Sequence, residues 1–195
     1  MTEQHTLIAV AHDISSMHNV GAIYRTADGA GCSTVIASGF TGTPPDPRIA
    51  KVALGAELML ATEQYMTIAA LLARLADSFV VLAEQDTHSV SHDELELATV
   101  SQREIAVIVC DEINGAPAAL RDRADLIVEL PMAGSKESLN VSVAFGIVMY
   151  AVASAARRTA GRPVAEHLRS RTPGPAVRTG VLTRGRTRGE LPDRA

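Results

Sequence analysis

The chain has 195 residues, 47% of them hydrophobic and only 3% aromatic, with two cysteines, no tryptophan and a formal charge of −4. That is the size of one ordinary domain with an aliphatic core. It argues against an aromatic base-stacking platform, and Cys32 and Cys110, far apart and in no CxxC pair, exclude a disulfide scaffold and carry no zinc signature.

In chain order, residues 6–10 (TLIAV) read as a first strand and 12–19 as a polar loop. Residues 20–30 read as a helix with Asn19 as its N-cap and Gly31 as its stop. Residues 34–37 (TVIA) predict a second strand, and 39–48, with three prolines and two glycines, a loop. Residues 49–55 read as helical or a single turn, 58–62 (LMLAT) as a short strand, 67–76 as an amphipathic helix and 78–82 (SFVVL) as a strand. Residues 91–97 form a loop or short turn, and 105–109 have the apolar continuity of a parallel-sheet interior. After the Asn114-Gly115 turn, Pro117 opens a short helix over 117–121. Residues 125–130 (DLIVEL) then give a strand and 139–158 a long helix. Strands alternating with helices predict an α/β fold, a parallel sheet flanked by helices.

From residue 159 on, Gly, Pro, Arg and Thr replace the apolar periodicity, and the segment reads as disordered. The expected division is therefore a domain over 1–158 and a basic tail over 159–195. Between Arg157 and Ala195 stand ten arginines and three acids, a net +7 that leaves −11 for the rest. An acidic body with a basic tail suits a polyanionic partner such as nucleic acid, or the tail is merely solvated. The opening MTEQHTLIAV lacks the basic-then-apolar pattern of a signal peptide, which points to the cytoplasm.

Residues 130–144 organise the rest. Pro131 ends a strand, Gly134 frees the backbone, and Ser135 and Ser138 are available to cap the helix that follows. A strand end beside a helix start is where α/β sheets bind polar ligands. The helix is apolar nearly all round up to Arg157, so it is buried on more than one side. It is short for a membrane span, which needs roughly 20 residues; the second covering surface is better read as another copy of the chain. Two other loops, 83–85 and 110–115, also follow strands, and Arg25 lies two turns into a helix otherwise free of basic residues.

At these residues the chain resembles the SpoU (TrmH-like) family of RNA 2′-O-methyltransferases in the SPOUT superfamily. NVGAIYRTADGAG is similar to its first motif, VIVCDEINGAP to its second and LPMAGSKESLNVSVAFGIVMY to its third; the loop GFTGTPPDPRIAKVALGAE is also similar to a segment of small members. Order and spacing agree over residues 5–156. The resemblance implies an α/β fold with a C-terminal trefoil knot, a homodimer, S-adenosylmethionine as methyl donor and tRNA or rRNA as substrate, with no membrane and no metal. It implies Arg25, Asn19, Glu112 and Asn140 as catalytic positions. Cofactor contacts fall on Leu82, Ala83, Cys110, Gly115, Leu130, Met132, Ser138 and Leu139, many through backbone groups.

The chemistry suits these residues. Methyl transfer from a sulfonium needs an oxygen held in line with the methyl group and stabilisation of the charge growing on that oxygen. The family assigns Arg25 as the base; arginine keeps its proton to a pKa above about 12, so a clamp on phosphate and incipient alkoxide is the preferred role. The family usually has glycine where this chain has Cys110, which would crowd the cofactor. That departure sustains the alternative of a non-catalytic RNA-binding or ribosome-assembly protein on the same scaffold, which calorimetry with the methyl donor would discriminate.

Overall fold

A computed structural model describes residues 5–111 and 113–161 of the chain. Its strands are β1 (Thr6–His12), β2 (Thr34–Ser38), β3 (Ala61–Tyr65), β4 (Phe79–Ala83), β5 (Val90–Ser91), β6 (Glu104–Cys110) and β7 (Leu126–Glu129). They form one parallel sheet in the order β3-β2-β1-β6-β4-β7-β5. The helices are α1 (Met17–Ala30), α2 (Pro47–Ala53), α3 (Ile68–Arg74), α4 (Ala118–Arg123) and α5 (Val141–Thr159).

Alternation along the central strands builds two cores. Ala9 and Ala11 of β1 and Val107 and Val109 of β6 join Ile23, Ile49 and Phe145 from α1, α2 and α5. Ile8, Val10, Ala106 and Ile108 join Leu71 and Leu120 from α3 and α4. A sheet covered on both faces needs apolar residues at every position, which is why β1 and β6 read as unbroken apolar runs. Helices α1 and α2 cross at Gly21, where a Cβ would sit 2.6 Å from the carbonyl oxygen of Ile49; only glycine permits that approach.

Several boundaries differ from the sequence reading. Helix α1 begins at Met17, not residue 20, and its cap is Ser16, whose hydroxyl accepts from the Asn19 amide at 3.4 Å; Asn19 sits inside the first turn. His12 belongs to β1 rather than to a loop. The strand expected over 58–62 lies at Ala61–Tyr65, preceded by a 3-10 turn at Ala56–Leu58. In LMLAT, Leu58 and Met59 are exposed and only Leu60 is buried, so that apolar run is not a strand face. Ser91, expected in a loop, forms with Val90 a short strand that pairs with β7 at the sheet edge.

Helix α5 starts at Val141 with Asn140 as its cap; Ser135 and Ser138 lie in an irregular segment before it and do not cap it. It is the one helix among the described residues long and apolar enough to cross a membrane. Eight of its residues are buried in the chain, while Val143, Ile147 and Tyr150 form an exposed face. The tail beyond residue 161 lies outside the described residues.

Candidate active site

The carboxyl ends of β4, β6 and β7 open into one pocket. Its floor is apolar: Val109 and Val128 from the strands, and Val141, Ala144 and Val148 from α5. Its rim comes from the three loops expected from the sequence. Ala83, Glu84 and Gln85 follow β4; Cys110, Asp111 and Gly115 follow β6; Leu130, Met132, Ser138 and Leu139 follow β7. Of the eight expected cofactor positions, Leu82 alone is not at the pocket surface; it is fully buried within β4.

Short-range bonds hold these loops in place. The Asp111 carboxylate accepts from the Asn114 backbone amide at 3.1 Å and from its side-chain amide at 2.7 Å, and the Gly115 amide donates to the Asp111 carbonyl at 3.0 Å. Gly115 has φ +65°, and a Cβ there would come within 3.0 Å of Glu84 Oε2. That same oxygen accepts from the Ala116 amide at 2.8 Å, joining the β4 loop to the β6 loop. Arg121 braces the junction, with contacts of 3.4 Å to Glu84 and 3.1 Å to Asp86. Gln85 donates its side-chain amide to the Glu137 carbonyl at 2.6 Å, drawing in the segment after β7. The result is an apolar slot bordered by the acidic residues Glu84, Asp111 and Glu129. Such a lining suits a ligand with a flat apolar body and positive charge.

Beside the pocket, Asn140 donates from Nδ2 to Oδ1 of Asn19 at 3.2 Å. Its own Oδ1 caps α5, accepting from the Ser142 amide at 3.0 Å and hydroxyl at 2.7 Å. Two of the four expected catalytic positions are thus in contact. Arg25 is exposed on α1 and does not line this pocket. Glu112 lies outside the described residues.

Cys110 borders the pocket, yet alternation turns its side chain to the α3/α4 face, with Ala116 and Leu120. Burial pushes its thiol up to about 12, with the Glu84 and Asp13 carboxylates adding to the effect. It is a neutral packing group at ordinary pH. Across the register from it stands His12, 3% exposed, with Nδ1 3.1 Å from Ser38 Oγ and Nε2 3.2 Å from Asp13. Burial lowers the imidazole pKa and Asp13 partly offsets this.

Sequence reasoning missed the floor residues and Glu129, whereas Asp111 lies in the 110–115 loop that it singled out. The floor carries no motif signal, because a ligand-facing valine and a core valine are the same residue type. Glu129 carried no signal either, since alternation along β7 puts it in phase with Ile127, on the face opposite the floor residue Val128.

Residues 6–150 match the sequence model of the SpoU rRNA Methylase family. The chain is 33% identical over 152 residues to the 23S rRNA (guanosine-2′-O-)-methyltransferase RlmB of Bordetella pertussis, covering 76% of this chain and 59% of that protein. It therefore spans under two thirds of the length of the curated relatives it matches. The crystal structure of the AdoMet-bound rRNA methyltransferase from Sinorhizobium meliloti aligns with a TM-score of 0.66 and 27% identity, over 80% of this chain and 57% of that one. The fold is shared with the A. aeolicus TrmH/SpoU tRNA modifying enzyme, TM-score 0.68 at 24% identity, over 83% of this chain and 82% of that one.

Proposed function

The chain belongs to the SpoU rRNA methylase family, and on that premise we propose that it transfers a methyl group from S-adenosylmethionine to a ribose 2′-hydroxyl of tRNA or rRNA, with rRNA the favoured class. The observation that carries the reading is the convergence of three strand-end loops on one apolar, acid-rimmed pocket, with the Asn19–Asn140 contact beside it.

The residues present fit the donor. The valine and alanine floor accommodates the adenine ring. The acidic rim, in which the Asp111 carboxylate is held by the neutral Asn114 rather than by a cation, favours the sulfonium and ammonium charges. Leu130, Met132, Ser138 and Leu139 follow the rim where backbone groups can take the adenosine edge. When bound, S-adenosylmethionine supplies a methyl group already activated by positive sulfur. The protein's task is then to aim the ribose oxygen and to steady its charge. Asn19 and Asn140 fix the facing ends of α1 and α5, and Arg25 holds the adjacent phosphate and the incipient alkoxide.

The exposed stripe on α5 is the surface on which a second copy docks, giving the homodimer. Residues 1–158 make up the methyltransferase domain, which works in the cytoplasm and not in a membrane. The trefoil knot is part of the same reading: the Gln85–Glu137 bond, which ties the 131–140 segment to the β4 loop, supports it.

The test is mapping of ribose methylation by mass spectrometry in RNA from cells with and without the gene. The expected result is the loss of one 2′-O-methyl nucleotide. In vitro, Arg25→Ala abolishes turnover while cofactor affinity and melting temperature hold, because the side chain is exposed and away from the pocket. Calorimetry that detects no donor binding at millimolar concentration would instead support a non-catalytic RNA-binding scaffold.

A further inference from the structure

Phe40 is exposed in a chain with few aromatic side chains, 59% of its surface open to solvent. Its backbone amide and the residues on either side of it are hydrogen-bonded. The Phe40 amide donates to Asp13 Oδ1 at 3.0 Å. Gly39, at φ +63°, donates its amide to the Tyr65 carbonyl at 3.0 Å. Thr41 is buried; its hydroxyl donates to the Ala11 carbonyl at 3.0 Å and accepts from the Ile14 amide at 2.9 Å. Asp13 itself adopts φ +55°, a conformation that few non-glycine residues take. A backbone this constrained leaves only the side-chain torsions of Phe40 to be ordered on contact.

The ring's position is informative. It follows β2, at the same carboxyl edge of the sheet as the pocket. Cys110, His12 and Ser38 stand side by side in register on β6, β1 and β2. At the usual strand spacing that is roughly 10 Å from the pocket's edge to the end of β2, within the reach of a nucleotide next to the one being methylated. The loop that carries Phe40 leads directly into α2, where Arg48 and Lys51 are exposed; the Arg48 guanidinium pairs with Asp46 at 2.7 Å. The ring is therefore an exposed apolar face on a loop that runs into a helix bearing basic side chains, which suit phosphates.

We propose that Phe40 is a stacking contact for an unpaired nucleobase flanking the methylated nucleotide of the substrate RNA, an inference that rests on the RNA-methylation reading above. It is one rigid contact rather than a platform, in keeping with the scarcity of aromatics. A base presents a π face whatever its identity, so the contact secures the strand without reading its sequence.

The chain lacks tryptophan, so Phe40→Trp introduces a single fluorescent reporter at this position. Its emission is expected to be quenched by bulk bacterial rRNA or tRNA at the concentrations where the wild type binds. Phe40→Ala is expected to raise the KM for RNA about tenfold and to leave the KM for S-adenosylmethionine and the melting temperature unchanged. Phe40→Leu, which keeps apolar area but has no π face, should resemble the alanine variant. Unquenched emission with RNA the protein binds, or a leucine variant equal to wild type, overturns the proposal. So does emission that shifts with protein concentration alone, which would assign the ring to a second copy. A wild type that methylates RNA while Phe40→Ala is unaffected overturns this inference only; a wild type that neither binds nor methylates RNA overturns the functional reading with it.

Discussion

The side-chain amide of Asn140 donates to the side-chain oxygen of Asn19 across 3.2 Å, joining residues 121 positions apart. The two ends of Asn140 do different things. Its oxygen caps α5 through Ser142, and its nitrogen reaches the first turn of α1. Substitution can separate them. Asn140→Asp keeps an acceptor for the cap and removes the donor to Asn19. Its stability should stay near wild type, because Asn and Asp cap about equally well, whereas Asn140→Ala should lose about 1 kcal/mol. Methyl transfer should collapse in both. Urea unfolding and methyl incorporation measure the two effects, and an active aspartate variant would remove the catalytic role.

Val143, Ile147 and Tyr150 are 49%, 37% and 47% exposed and lie on one stripe of α5. The stripe borders α1: Gly146 is close to Thr26, and the Tyr150 hydroxyl lies over Gly29. Arg25, one residue before Thr26, therefore stands at the margin of this surface. Ile147→Asp should convert a dimer to a monomer in sedimentation velocity and should abolish turnover, while the isolated subunit keeps its cofactor pocket. A wild type that sediments as a monomer at micromolar concentration contradicts this.

Cys110 replaces the glycine expected from the family resemblance, but its side chain belongs to the α3/α4 core. Cys110→Gly should cost about 2 kcal/mol of stability, from reduced burial and added backbone freedom, without tightening S-adenosylmethionine binding. The thiol also has a pH signature. Cys110 and Cys32 are both pushed by burial from an ordinary 9.0 up to about 12. Between those values the unfolded chain has released protons that the folded chain still holds. Stability is then complete below pH 9 and falls as pH rises toward 12. Denaturant titrations across that range should show a shallower fall in Cys110→Gly than in wild type.

Strands β1 and β6 were legible because burial on both faces leaves no polar positions to interrupt them. The edge strands β3 and β5 were not: ATEQY is half polar, and it becomes a strand because β2 offers it partners. The caps were misplaced for a related reason. Ser16 and Asn19, like Ser138 and Asn140, are all competent acceptors, and the turn in which each helix starts decides which one is used. The three rim loops were legible as strand ends bearing small and polar residues. The valines of the floor were not, since packing alone distinguishes a slot from a core.

The arginine-rich tail gives the last prediction. Helix α5 runs to Thr159, so a truncation that spares it should begin after Gly161. Residues 162–195 hold eight arginines and three acids. If the tail meets RNA, its removal weakens binding and flattens the dependence of affinity on salt, by about 0.7 in logarithmic slope for each phosphate of a single strand that the arginines had neutralised. Cofactor affinity should not change, because the described residues that line the pocket all lie between 83 and 148. Binding isotherms at several salt concentrations measure the slope directly. An unchanged slope would mean that the arginines are only solvated, and that the RNA is held by the body of the domain despite its net negative charge.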